Sequence, residues 1–185
     1  MVPFNVKLYL VKEWLKMAKV AVLVTNDVED VELTSPVDAL KKAGHDITII
    51  DQKAGEEITG KHGHKTKVDA GIADVMPENF DALLVPGGFS PDQLRGDPRF
   101  VKFARSFLLA DKPTFAICHG PQLFMQTGLV KGRTMTAYKT VQTDIYYAGA
   151  IVKDEPVVKD HNLITSRTPD DLDQFNAAIV EDLIQ

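Results

Sequence analysis

The stretch Thr114-Phe115-Ala116-Ile117-Cys118-His119-Gly120-Pro121 decides how the rest of this chain is read. Strand-type residues run straight into a cysteine, a histidine and a glycine, and a helical pattern follows at once. A nucleophile on a tight strand-to-helix turn is the geometry of a nucleophile elbow, which lifts the side chain clear of the sheet. The turn also sets the sulfur at the positive end of a helix, which favours the thiolate, the reactive form. A buried, inert cysteine is the competing reading, and the strand-Cys-His-Gly-helix context favours the reactive thiol.

Outward from the elbow, short apolar runs alternate with helical patterns. Val20 to Val24 reads as a strand, followed by a helix through Val31, Leu33, Val37 and Leu40 that ends at Ala43-Gly44. Pro36 either kinks that helix or marks a second start. Ile47 to Ile50 is a second strand, and the glycine-punctuated segment 51–71 reads as loop with at most a small ribbon. Ala82 to Val85 is a buried strand stopped by Pro86-Gly87-Gly88. Asp97-Pro98 announces a helix carrying Phe100, Phe103, Phe107 and Leu108 at helical spacing. Beyond Cys118 come Gly128 as a helix stop and short strands near Thr134–Thr136, Val157-Val158 and Leu163–Thr165. Thr168-Pro169-Asp170-Asp171 then caps a last helix through Leu172, Phe175, Ile179 and Leu183. The alternation predicts an α/β sandwich with a largely parallel sheet.

Composition bounds the function. The chain has 185 residues, 44% apolar and 25% charged, the profile of one ordinary soluble globular domain. A net charge of −5 gives no electrostatic case for nucleic acid or an anionic membrane. No segment is long and apolar enough to span a bilayer. Cys118 is the only cysteine, so no internal disulfide forms, and a free thiol fits the cytoplasm. Lys7, Lys12, Glu13 and Lys16 interrupt any signal-peptide core within residues 1–16. Met17 is read as the functional start of a domain spanning 17–185, with 1–16 an upstream extension. A native extension, docked through Phe4, Leu8, Leu10 and Trp14, is the alternative.

In open parallel sheets, active sites form beyond the carboxyl ends of the strands. Three unusual segments follow strands directly: Asn26-Asp27-Val28-Glu29-Asp30, Gly87-Gly88-Phe89-Ser90-Pro91-Asp92 and Cys118-His119-Gly120. The N–H groups of Gly88 and His119 are candidates for an oxyanion hole; a plain tight turn is the alternative for Gly87-Gly88. Glu29 is expected to donate a hydrogen bond to the thiolate or to shuttle a proton for a bound substrate, or else to serve only as an acid near a helix N-terminus. His119 is either a base oriented by another group or matters through its backbone N–H. Asp92 is a candidate acid, or the first-turn acid of a helix opened by Ser90-Pro91. His62 and His64 lack a third ligand and read as exposed loop residues, so no metal is expected. Lys159-Asp160-His161-Asn162 reads as a hairpin turn. No late His-x-Glu follows, since His161 precedes Asn162-Leu163, which argues against an amidotransferase.

These residues closely resemble the ThiJ/PfpI family of the class I glutamine amidotransferase-like superfamily. The resemblance runs from Met17 to the C-terminus. It rests on Glu29-Asp30-Val31-Glu32-Leu33, Gly60-Lys61-His62-Gly63, Pro86-Gly87-Gly88, Ala116-Ile117-Cys118-His119-Gly120-Pro121-Gln122 and Ser166-Arg167-Thr168-Pro169-Asp170-Asp171-Leu172. The stretch from Gly87 to Asp97 is most similar to the bacterial general stress protein branch. The resemblance implies a flavodoxin-like three-layer sandwich, a homodimer or hexamer, and no cofactor. It implies Cys118 as nucleophile, His119 as its adjacent histidine and Glu29 as the acid touching the thiol. It places Asp92 where peptidase-like members carry a Glu that reaches the histidine of a neighbouring subunit. Asp is one methylene shorter, which weakens the peptidase reading.

The leading expectation is a cofactor-independent cysteine enzyme acting on reactive dicarbonyls such as methylglyoxal and glyoxal, or on their adducts with amino groups. Its alternatives are a cysteine peptidase with an intersubunit Cys-His-acid site, and a non-catalytic redox-sensing stress protein or chaperone built on Cys118 oxidation.

Overall fold

The computed structural model describes residues 17–184; the readings made for residues 1–16 lie outside these. Strand β1 (Lys19–Leu23) leads through an Asn26-Asp27 turn to helix α1 (Asp30–Lys42) and strand β2 (Asp46–Asp51). A hairpin of β3 (Glu57–Thr59) and β4 (Lys65–Lys67) and a short β5 (Ala70–Gly71) precede β6 (Ala82–Val85). Helices α2 (Ser90–Leu94) and α3 (Pro98–Leu109) lead to β7 (Thr114–Ile117), which ends at the cysteine. Then follow α4 (Gln122–Met125), β8 (Thr134–Met135), α5 (Lys139–Tyr147) and β9 (Ile151–Val152). The hairpin of β10 (Val157–Asp160) and β11 (Leu163–Ser166) and helix α6 (Leu172–Asp182) complete the chain.

Seven strands form the main sheet in the order β10-β11-β7-β6-β1-β2-β5. All neighbours run parallel except the β10–β11 pair, which lies at an edge. The α/β sandwich with a largely parallel sheet is therefore the fold, and the reason is visible strand by strand. Val20 and Val22 of β1 face one side of the sheet with Leu84, Phe115 and Ile117. Ala21 and Leu23 face the other with Leu83, Val85 and Ala116. A strand that alternates sides yet is apolar on both must be covered twice. Helices α1 and α6 cover the first face through Leu33, Leu40, Phe175 and Ile179. Helices α3, α4 and α5 cover the second through Phe100, Phe103, Phe107, Phe124 and Ile145.

Local chemistry sets the element ends. Asp97 accepts the Arg99 N–H at 2.9 Å and so caps α3, with Pro98 in its first turn. Helix α1 runs unbroken through Pro36 and closes on Ala43, with Gly44 at φ 91° beyond it. Thr168, expected as a cap for the last helix, makes no side-chain cap bond. Pro169–Asp171 instead form a turn of 3₁₀ helix that feeds α6. Helix α5 and strand β9 are absent from the sequence reading. Only Val141 and Ile145 of α5 are buried, and its Thr, Val, Ile and Tyr residues carry no helical signature of their own.

The chain order of the sheet positions the site. From β1 the chain moves to β2 on one side, and later to β6 on the other. Between β1 and β6 the winding reverses, leaving a crevice beyond their carboxyl ends. The Asn26-Asp27 turn and Pro86-Gly87-Gly88 border that crevice, and Cys118 stands next to it at the end of β7.

Candidate active site

Cys118 has φ 61°, a left-handed conformation costly for a residue with a Cβ and held only when its surroundings dictate it. Here they do. The Cys118 N–H donates to the Ser166 carbonyl at the end of β11, 3.0 Å away, and its own carbonyl accepts the Tyr138 N–H at 2.9 Å. The chain is gripped on both sides of the sulfur, which sits 7% exposed at the floor of a pocket of about 460 Å³.

Three kinds of group meet the sulfur. The N–H groups of His119 and Gly88, the pair expected to form an oxyanion hole, lie close enough to it to favour its charged form. Nδ1 of His119 lies 3.2 Å from Sγ, and the imidazole stacks on Tyr138 with ring centroids 5.0 Å apart. Burial, reinforced by the nearby Lys61, lowers the basicity of His119, so the ring is neutral near pH 7. The third group is the carboxyl of Glu32, within proton-sharing reach of the thiol.

Glu32 corrects the expectation made for Glu29. Its side chain is fully buried at 0% exposure, on the face of α1 that also carries Leu33, Pro36, Val37 and Leu40. Oε2 accepts the Gly87 N–H at 3.1 Å, while Oε1 is enclosed without any N–H or O–H donor among the described residues. Burial pushes its carboxyl up to about 7, and the charge of Glu29 adds to that. Glu29 sits three residues earlier, at the N-cap, and turns to the pocket mouth. There its carboxylate holds Lys61 Nζ at 3.4 Å and His62 Nε2 at 3.1 Å. The sequence signal for Glu32 was its place on an apolar helix face, where an unpaired acid is rare without a reason.

The thiol corrects a second expectation. Burial and then the charge of Glu32 push Cys118 above the ordinary thiol range, against the pull of the His119 and Gly88 N–H groups. The helix expected to favour the thiolate, α4, is four residues long and begins four positions after the cysteine. Its dipole is small, and desolvation wins. The sulfur and Glu32 therefore form a coupled pair in which one charge raises the cost of the other.

Two glycines allow this approach. A Cβ on Gly87 would collide with Glu32 Oε2 and stand 2.9 Å from the Cys118 Cβ. Gly88 has φ +71°, and a Cβ there would strike the Asp27 carbonyl and the Glu29 N–H. Asp27 is itself left-handed at φ 61°, and its carbonyl accepts the Phe89 N–H at 2.9 Å. The turn after β1 thus sets the loop that carries Gly88.

Asp92 pairs with Arg95, with Oδ1 2.6 Å from Nη2, and touches neither Cys118 nor His119 of its own chain. His62 and His64 are exposed loop residues whose N–H groups both donate to Asp30 at 2.7 Å. Ligand-type atoms of Glu29, Asp30 and His62 lie within 4.8 Å of one another. Those of Asp30 are occupied by the two N–H groups and those of Glu29 by Lys61 and His62. His161, with φ 53°, forms the two-residue β10–β11 turn with Asn162. Asp27, Lys61, Phe89 and Pro169, which stand within the quoted motifs, and Tyr138, which does not, also line the pocket.

A model of the DJ-1/PfpI family matches residues 18–182. The chain belongs to that family. A Staphylococcus saprophyticus protein is 55% identical over 167 residues, covering 89% of this chain and 97% of the relative. "Putative cysteine protease YraA" of Bacillus subtilis is 55% identical over 158 residues, covering 85% and 94%. Among solved structures, Drosophila melanogaster DJ-1beta superposes with a TM-score of 0.84 at 26% identity, covering 91% of both chains. A two-domain Anabaena variabilis protein with DJ-1/ThiJ/PfpI-like and ferritin-like domains gives 0.87 at 37% identity. This DJ-1/PfpI chain covers 90% of its own length there and 48% of that protein. No helix among the described residues is long and apolar enough to cross a membrane.

Proposed function

We propose that the chain is a cofactor-independent cysteine enzyme that converts reactive α-dicarbonyls, or their adducts on amino groups, to hydroxy acids. The observation that carries the reading is the buried carboxyl of Glu32, held near neutrality beside a sulfur that two backbone N–H groups also address. A group that titrates near the working pH both takes and returns a proton efficiently.

With methylglyoxal, Sγ adds to the aldehyde carbon, and the thiol proton passes to the carbonyl oxygen to give a hemithioacetal. The Gly88 and His119 N–H groups support the oxygen as charge develops. Glu32 removes the proton from the former aldehyde carbon, and the electron pair moves to the neighbouring carbonyl to form an enediol. Reprotonation at that neighbouring carbon leaves a thioester, and water releases a 2-hydroxy acid and regenerates the thiol. The two carbons exchange oxidation states, so no external oxidant or reductant enters. Phe89 and Tyr138 flank the pocket with apolar surface suited to a small, weakly polar substrate.

A peptidase reading is favoured by the 3.2 Å approach of His119 Nδ1 to Sγ and by the name of the Bacillus relative. It requires Asp92 to exchange Arg95 for the histidine of a neighbouring subunit. The test is turnover of methylglyoxal and of a fluorogenic peptide by wild type, Cys118→Ala, Glu32→Gln and Glu29→Gln. The dicarbonyl reading expects Cys118→Ala to be inactive and Glu32→Gln to lose on the order of 10²-fold or more in kcat. Glu29→Gln should retain turnover within about tenfold, on the scale of one pocket charge. Full methylglyoxal turnover by Cys118→Ala would end it.

A further inference from the structure

The Cys118 pocket has more acid than base in its walls, which bears on the carbonyl compounds that can reach the sulfur. Asp27 and Glu29 line it together with Glu32, and Lys61 is the single Lys or Arg among the lining residues. Lys61 is already engaged, because its Nζ lies 3.4 Å from Glu29 Oε2. The Asp27 carboxylate has no cation against it among the described residues; its hydrogen-bond partner is the neutral Gln93 amide, 3.3 Å away.

The backbone that carries Asp27 is also fixed in place. The Asp27 N–H donates to the Thr59 carbonyl at 2.9 Å, and its carbonyl takes the Phe89 N–H at 2.9 Å. The backbone of Asp27 thus links the β3–β4 hairpin to the Gly88-Phe89 loop, and its side chain lines the pocket. Asp27 is exposed at the pocket wall and Glu29 half-buried, so their charges act across the pocket within a Debye length, most strongly at low salt.

We infer that this pocket selects uncharged carbonyl compounds over oxo acids, with Asp27 and Glu29 as the specificity-determining residues. The inference rests on the reading of Cys118 as the nucleophile toward a carbonyl carbon. An oxo acid brings its own carboxylate past Asp27 and toward Glu32, while Glu29 cancels the cation that would have received it. The same charges favour release of a hydroxy-acid product, which is an anion formed inside the pocket.

The test needs no turnover. Iodoacetamide and iodoacetate have nearly the same size and the same leaving group, and differ in charge. Rates of Cys118 alkylation by each are followed by intact mass, with 2-mercaptoethanol as the reference thiol. Asp27→Asn suits the test because Asn also tolerates a left-handed backbone and can still accept from Gln93. Glu29→Gln removes a charge from an N-cap side chain that makes no capping bond.

Wild type should prefer iodoacetamide over iodoacetate more strongly than the reference thiol does, by on the order of tenfold. Asp27→Asn should remove part of that excess preference, and Asp27→Asn/Glu29→Gln most of it. A wild-type preference equal to the reference thiol would overturn the inference, as would an unchanged preference in the folded single variant. Because alkylation does not depend on dicarbonyl conversion, failure of methylglyoxal turnover sinks the proposed reaction and leaves the charge selectivity of the pocket standing. The reverse also holds.

Discussion

Glu32 illustrates how a functional residue opposes the fold that holds it. An ordinary carboxyl titrates near 4.5, and burial raises this one to about 7. Between those values the native state binds a proton that the unfolded chain has released. Stability therefore falls as pH rises through that window, and the loss is complete above the folded value. The shift corresponds to about 3 kcal/mol by pH 8. Urea unfolding of wild type and Glu32→Gln at pH 5 and pH 8 should show it. The variant should gain stability relative to wild type at pH 8 and lose that advantage at pH 5. An identical difference at both pH values would mean that Glu32 is not held neutral. The same substitution removes the base of the proposed reaction, so stability at pH 8 should rise as turnover falls.

At the scale of elements, the site is a junction of loops, each fixed by a neighbour. The segment from Gly60 to His64 is clasped to the start of α1 by Asp30, whose two oxygens accept the His62 and His64 N–H groups at 2.7 Å each. Asp30→Ala should leave those two donors without their partner and free the loop that carries Lys61. Amide exchange at His62 and His64 should accelerate on the order of tenfold or more, as loss of a charge-assisted bond implies, with β1 and β6 unchanged. Protection retained at both amides would show that the hairpin holds the loop without Asp30. Gly88 is the stricter case. Gly88→Ala adds left-handed strain to a collision with backbone of the Asp27-to-Glu29 turn. It should cost at least about 1–3 kcal/mol and disrupt the N–H that addresses the sulfur. Cys118 alkylation kinetics should then change well beyond what the stability loss alone produces.

Over the whole molecule, one sheet with two apolar faces supports both cores, so damage to either should weaken the same folding unit. Phe107, on one face, and Phe175, on the other, are both 0% exposed. Truncation of either to Ala should cost about 3–5 kcal/mol, read as a lower urea midpoint. A transition that splits in two, with only one half shifted, would show that the layers unfold separately. The reversal of winding between β1 and β6 explains why the pocket lies where it does, beyond the carboxyl ends of those strands.

Much of this was legible in the residues. Short apolar runs that stop at a turn mark β1, β6 and β7, with Asn26-Asp27, Pro86-Gly87 and Cys118-His119-Gly120 just beyond them, because strand periodicity and turn chemistry are local properties. Cys118 and Gly88 could be placed at one rim from strand direction alone. Helix α5 was not legible, since its Val141 and Ile145 gain meaning only against the second core. The acid at the sulfur was not legible either. Glu29 and Glu32 are three residues apart on one helix, about 4.5 Å along its axis and most of a turn around it. Which of them meets Cys118 depends on where α1 lies over the sheet, and its burial face sets that position. The sequence by itself determined the α/β sheet, the elbow and its nucleophile. Only the packing of α1 against β2 and α6 over that face of the sheet decided that Glu32 is buried beside the sulfur and Glu29 is left at the mouth, because desolvation and proton sharing act through space.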